Sequence, residues 1–259
     1  MTGLAGAPAT PHIGAMLKAA FLFFAVAFLA PLGVSTALWA FGDAPRDWWS
    51  ADRSSAGLLP PAGQSRAAAI RVFNAPTVSW RGALATHSWL VLKGEGEARY
   101  QRFDYTAWGA PIRVDGFAPD GKWFGVRPQL VFAADGEAAA RAIPKIRAAI
   151  AAYPYRNVGD YRVWPGPNSN TFVAAALAAA PELRARLPAT AIGRDYPYDG
   201  RWFARTADGV RVSLGGYLGA TVGLSGVEIN VLGGAVALDF RRPAIELPGL
   251  GRFGLSPTG

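Results

Sequence analysis

The sequence predicts an α+β protein with one transmembrane helix near its start, followed by a single mixed domain with few helices and a C-terminal β-meander. Three observations predict it. An uncharged apolar stretch of about 23 residues comes early in the chain. Short runs of β-branched and aromatic residues alternate with Gly- and Pro-rich turns through most of the remainder. Helical spacing is confined to two places, near residues 136–153 and 171–180.

The apolar stretch runs from Ala19 to Phe41, and as a helix it would rise about 34 Å, enough to cross a bilayer. Pro31 should kink it. Trp39, Trp48 and Trp49 lie at and beyond its far end, where an interfacial aromatic belt is expected. An uncleaved anchor is expected ahead of the competing reading, a cleavable signal peptide, because a signal core is only about 7–15 residues long. Lys18 is the last positive charge before the stretch, whereas Arg46 and Arg53 after it are offset by Asp43, Asp47 and Asp52. The expected organisation is a cytoplasmic N-terminus over 1–18, a membrane helix over 19–41, a linker over 42–67 and a periplasmic domain over 68–259 of a bacterial single-pass inner-membrane protein.

Within the domain, strands are expected at Arg71 to Ala75, Thr77 to Leu84 and Thr86 to Lys93. Gly94-Glu95-Gly96-Glu97 then reads as a turn into a return strand from Ala98 to Trp108. Ile112 to Val114 and Lys122 to Val126 read as a strand pair joined by Ala118-Pro119-Asp120-Gly121. Ala139, Ile143, Ile146 and Ile150 share one helical face, with a kink or break expected at Pro144. A second helix over Thr171 to Ala180 stops at Pro181, and a short helical turn is expected at Glu182 to Arg186. Val210 to Leu214, Val227 to Leu232 and Ala235 to Phe240 are strands of the meander. The Gly-rich run Leu214 to Leu238 contains Glu228, so it reads as buried or membrane-facing strands and not as a second spanning helix.

Composition narrows the chemistry. The chain has 259 residues, a net charge of +8, no cysteine and two histidines. Thiolate sites and disulfides are excluded, and a metal site built on several imidazoles is excluded within one chain. No metal and no cofactor is expected. The basic residues form no run, so membrane lipid is the expected counter-charge and nucleic acid is not. Gly215-Gly216-Tyr217-Leu218-Gly219 lacks the spacing of a phosphate loop.

The polar constellation of interest is Trp164-Pro165-Gly166-Pro167-Asn168-Ser169-Asn170-Thr171-Phe172. Two prolines around a glycine steer the chain sharply into a helix whose entry carries three good N-cap residues. Backbone amides and the positive end of the helix dipole would stabilise negative charge there. This segment, with Ala191-Ile192-Gly193-Arg194-Asp195-Tyr196, resembles the signature of an uncharacterised bacterial group, the domain of unknown function 3750 family, from about Thr86 toward the C-terminus. A more distant resemblance is to circularly permuted papain-like folds, a group that includes permuted NlpC/P60 peptidases, lecithin:retinol-acyltransferase-like enzymes and PPPDE peptidases. That likeness implies a permuted papain-like core with His87 as base and Ser169 in the cysteine position.

A hairpin turn centred between Glu95 and Gly96 would set Asp104 opposite His87, where it would orient the imidazole. Asn168 or Asn170 would supply the oxyanion donors, and Trp164, Tyr155 and Tyr161, with Tyr153, would line a pocket. Each residue also has a plainer role, Ser169 as a helix cap, His87 and Asp104 as strand residues and the aromatics as core. Two functions stay open: a non-catalytic binding module for a peptide or lipid of the cell envelope, which is preferred because serine weakens a thiol site, and a serine-dependent hydrolase or acyltransferase.

Overall fold

The computed structural model describes residues 11–43 and 47–256, the side chains of Pro11 and His12 excepted. The apolar stretch is one continuous helical run, α1 (Pro11–Phe24), a π-helical turn (Ala25–Leu29) and α2 (Ala30–Phe41). Pro31 has no amide to give to the carbonyl of Ala27, and the turn that carries this carbonyl is the one wound as π-helix. Ile13–Phe41 is long and apolar enough to cross a membrane, and only 6% of its apolar window is buried. The helix therefore begins earlier than Ala19, and Lys18 lies within it.

Two antiparallel sheets follow. The first has the order β4-β3-β2-β1-β5, from β1 (Ala69–Pro76), β2 (Thr86–Lys93), β3 (Gln101–Tyr105), β4 (Ile112–Val114) and β5 (Gln129–Asp135). β5 pairs with β1 and has no counterpart among the expected strands. Thr77 to Leu84 is not a strand but a 3-10 turn over Ser79–Ala83, where a Cβ on Gly82 would come within 2.3 Å of the Thr77 carbonyl oxygen. Lys122 to Val126 is not a strand either, making only the isolated bridge Trp123↔Val126. The turn at Ala118 to Gly121 does close, through Gly121 N–H to the Ala118 carbonyl at 2.9 Å.

β1 and β2 are buried on both faces. Ile70, Val72, Leu90 and Leu92 pack under α3 (Gly136–Ala151) and α4 (Ser169–Ala178), together with Ile143, Ile146 and Phe172. Phe73, Ala75, Trp89 and Val91 lie on the other face under Trp123 and Phe124. Pro144 does not break α3. It faces outward, so the Ala140 carbonyl that loses its donor lies away from the core. Much of the segment expected as a linker is folded onto this second face. Ala51, Leu58 and Leu59 pack there, and Asp120 accepts from Ser55 Oγ at 2.7 Å and from Leu58 N–H at 2.6 Å.

The second sheet is the expected meander, order β12-β11-β10-β9-β8-β7-β6. Its strands are β6 (Phe203–Arg205), β7 (Gly209–Leu214), β8 (Leu218–Gly223), β9 (Gly226–Val231), β10 (Gly234–Asp239), β11 (Ala244–Leu247) and β12 (Gly251–Gly254). The expected helical turn at Glu182 to Arg186 is a 3-10 turn, Pro181–Leu183.

Candidate functional site

His87 and Asp104 come together. The imidazole Nε2 lies 3.0 Å from Asp104 Oδ1, and both side chains are buried. Their register is not the expected one. β2 and β3 pair as Leu90↔Phe103 and Val91↔Arg102, so continuing the ladder sets Asp104 opposite Trp89 and diagonal to His87. The connection is longer than a tight turn, with Gly94 N–H held by Glu97 at 2.7 Å and Gly96 N–H by the Arg66 carbonyl at 2.8 Å. A displacement of two residues preserves parity, which keeps the carboxylate on the face of the imidazole.

Sequence reasoning missed the third member of this cluster. Arg102 is fully buried and donates to Asp104 twice, Nε to Oδ2 at 2.7 Å and Nη2 to Oδ1 at 2.9 Å. Its guanidinium lies 4.1 Å from the Trp89 ring centroid, while His87 stacks on Trp123 at 3.7 Å and 5°. Position was the available signal, since residue 102 shares a strand face with residue 104. Burial pushes the His87 pKa down, against the opposing pull of Asp104, so the imidazole is neutral and donates Nε2–H. Burial by itself would raise Asp104, but the His87 hydrogen bond and the Arg102 charge outweigh it and hold the carboxyl below its usual range.

Ser169 belongs to a different layer. Asn168 is the N-cap of α4, accepting from Asn170 N–H at 3.0 Å and Thr171 N–H at 3.2 Å, with Thr171 Oγ1 accepting from Asn168 N–H. The Asn168 amide donates to the Val163 and Ile192 carbonyls, both at 3.0 Å. The Asn170 amide donates to the Thr86 and Ile192 carbonyls, both at 2.8 Å. Gly193, at φ +87°, is needed there, because a Cβ would meet Asn168 Nδ2 at 2.3 Å. The Tyr161 hydroxyl lies beside the amide and the hydroxyl of Ser169, which pull its pKa down against the rise that burial causes. Both asparagine amides assigned to an oxyanion are thus engaged by backbone carbonyls.

The structure does not join Ser169 to His87. The Asn170 bond to Thr86 brings the entry of α4 beside the start of β2, but α4 packs on the face that carries Leu90 and Leu92. His87 points to the opposite face, with Trp89 and Trp123. The aromatics divide in the same way. Tyr161, Tyr105 and Tyr153 cluster around Phe172, and burial pushes Tyr155, beside Tyr196, up to about 12. Trp164 turns away to the second sheet, edge-on to Tyr217 at 4.9 Å with Nε1–H on the Leu232 carbonyl.

A cavity of about 740 Å³ lies between the C-terminal end of α4, the loop of residues 184–211 and the second sheet. Apolar Ala174, Leu177 and Leu187 line one part. Arg184, Arg205 and Arg211 line another and form no ion pair among the described residues. Deeper in the wall, Arg194 pairs with Glu228 at 2.8 Å, and burial pushes the Asp195 carboxyl up. Asp195 Oδ2 and Asn230 Oδ1 are buried there without hydrogen-bond partners. Among the described residues no group of three metal-ligating side chains forms.

No curated protein and no solved structure matches the chain, so the papain-like likeness has no match behind it. The family model described as "Protein of unknown function (DUF3750)" matches residues 67–196, which takes in β1 through α4 and stops before the meander. The match starts earlier than Thr86 and does not run on to the C-terminus. Half of the chain is covered, including the whole W-P-G-P-N-S-N-T-F segment, and the chain belongs to the DUF3750 family.

Proposed function

We propose that this protein is a membrane-anchored binding module that holds a ligand and does not turn one over. The observation that carries this reading is the separation of His87 from Ser169 by the sheet. The base that a serine needs is stacked on Trp123 and bonded to Asp104, while the hydroxyl lies beside Tyr161 in the other layer. The Nδ2 donors of Asn168 and Asn170, all engaged by backbone carbonyls, support it further.

The ligand chemistry follows from the cavity, where unpaired guanidiniums beside an alanine and leucine wall suit an anionic amphiphile of the cell envelope. The long apolar helix anchors the module in a bacterial inner membrane. With Lys18 on the cytoplasmic side and the charges after Phe41 balanced, the domain stands in the periplasm.

The test uses the full chain in detergent. A fluorophosphonate probe should leave it unlabelled, and labelling that disappears in both Ser169→Ala and His87→Ala would overturn the reading in favour of a serine hydrolase. Dihexanoyl phosphatidic acid should bind, and Arg211→Ala should weaken it by about tenfold, the loss of one charge-assisted contact. Absence of binding to the unaltered protein would remove the ligand assignment.

A further inference from the structure

The second sheet turns polar and small residues toward the protein and large apolar ones toward the outside. In β9 the alternation Val227, Glu228, Ile229, Asn230, Val231 would ordinarily put the apolar residues in the core. Here Glu228 and Asn230 are the buried ones, and Ile229 is exposed. Register extends the inversion across the sheet, where Val210, Val222, Val227, Leu238, Ile245 and Phe253 form one continuous outward row. Val222 is 54% exposed and Phe253 is 50% exposed. A parallel row, Leu214, Leu218 and Val231, runs beside it. Even the strand connections are apolar, with Leu224, Leu232 and Phe240 exposed at the two ends.

We infer that this outer face is a bilayer-docking surface whose occupant is the acyl region of the leaflet beside the anchor helix. The inference rests on the membrane-anchored reading above and adds a second, separate contact with lipid. Continuity with the helix identifies the occupant. Phe28 packs near Gly234, at the start of β10, and Ser35 donates to the Ala83 and Gly249 carbonyls. Lys18 must stay at a headgroup, and about 20 residues of helix cross the hydrocarbon, so the span ends near Leu38. Ser35 then lies about 5 Å and Phe28 about 15 Å below the far surface, so the end of the sheet that touches them reaches down through this leaflet.

The open edges at β6 and β12 forbid spanning, because their unpaired backbone groups need water. The sheet therefore enters this one leaflet without crossing the membrane, with its outer face in lipid. Its margin fits that position. Trp202 is exposed beside Phe203, Trp164 stands edge-on to Tyr217, and Arg205 and Arg241 are exposed at the border, where aromatic rings and lipid phosphates meet.

The chain has no cysteine, so single nitroxide labels can be introduced directly in the full protein. Val222→Cys and Leu238→Cys report the sheet, Leu22→Cys the anchor and Val158→Cys an exposed site elsewhere on the domain. Each is reconstituted in phosphatidylethanolamine–phosphatidylglycerol vesicles, and collisions with oxygen and with a water-soluble nickel chelate are compared. Oxygen should exceed nickel at 222, 238 and 22, and the order should reverse at 158. Sheet labels that favour nickel while the Leu22 label favours oxygen would overturn the docking face and leave the anchor standing. Nickel preference at all sites would remove both. Sheet labels shielded from both reagents and broadened by a neighbouring spin would overturn lipid in favour of a second copy.

Discussion

The two sheets use the same period-two alphabet and end in opposite states. In the first, both rows of β1 and β2 are covered, one by α3 and α4 and the other by a layer of aromatic rings. Burial there is so complete that Arg102, Asp104 and His87 are taken in as a neutralised cluster. In the second, only the inward row is covered, and it sets Glu228, Asn230 and Ser213 beside small alanines. Alternation thus reports parity along a strand but not which medium meets each face. A charge such as Glu228 sits inside because Arg194 meets it there, and valines sit outside because none of the described residues covers them.

The sharpest way to break this contrast is to remove a charge from the closed sheet. Arg102→Ala leaves the Asp104 carboxylate buried with only His87, and the protein should lose about 3–5 kcal/mol, the usual penalty for stranding a buried ion. Thermal and denaturant melts of the detergent-solubilised chain measure it. A loss below about 1 kcal/mol would mean that the cluster is a surface feature and the sheet is not closed. Next comes Asn168→Ala, which deletes a cap and strands the Val163 carbonyl, the Ile192 carbonyl keeping its bond from Asn170, for a combined loss of about 2–3 kcal/mol. Ser169→Ala beside it should stay within about 0.5 kcal/mol, since its amide remains and only a hydroxyl contact with Tyr161 is lost.

The closed sheet should also respond to acid. The folded His87 titrates below its unfolded value, so its contribution is fully present above about pH 6.5 and declines as the pH falls below it. Asp104, depressed as well, acts with the same sign at lower pH. Asp195, pushed up by burial, acts with the opposite sign, its contribution fading as the pH rises. Stability should therefore drop from pH 7.5 to pH 5.5, and His87→Gln should flatten that drop, as His12 is the only other histidine in the chain. An unchanged slope in His87→Gln would mean that the imidazole is already solvated.

Local patterns were legible in the sequence, and the way they meet was not. The helix, a cap among Asn168, Ser169 and Asn170, the meander and the pairing of His87 with Asp104 all follow from short-range spacing, although the cap is Asn168 and not the expected Ser169. The two-residue error in hairpin register arose because Glu97 folds the 94–100 connection back on Gly94, a side-chain contact that turn propensity does not encode. Parity survived the error, so the pair survived. Ser169 was set against His87 by their order in the chain, whereas their separation is fixed by which face of β2 meets α4. That choice is made by Leu90, Leu92 and Phe172 together. The arginine-lined cavity draws on side chains from Arg184 to Arg211 and was invisible for the same reason.

The smallest expected effect isolates the comparison most cleanly. Val72→Thr and Val222→Thr are the same near-isosteric change on two strands, one fully buried under the helices and the other half exposed on the bare face. In detergent the first should cost about 1–3 kcal/mol, because its hydroxyl has no acceptor in the core. The second should stay within about 0.5 kcal/mol, because an exposed position rarely exceeds that. Moving the protein from detergent into vesicles should leave the first value unchanged. For Val222→Thr, retention on vesicles of a chain lacking the anchor's grip should weaken, because lipid is the only medium that discriminates between the two side chains at that site. A Val222→Thr cost equal to that of Val72→Thr in detergent would mean that protein already covers the outer face, and the two sheets would then be alike.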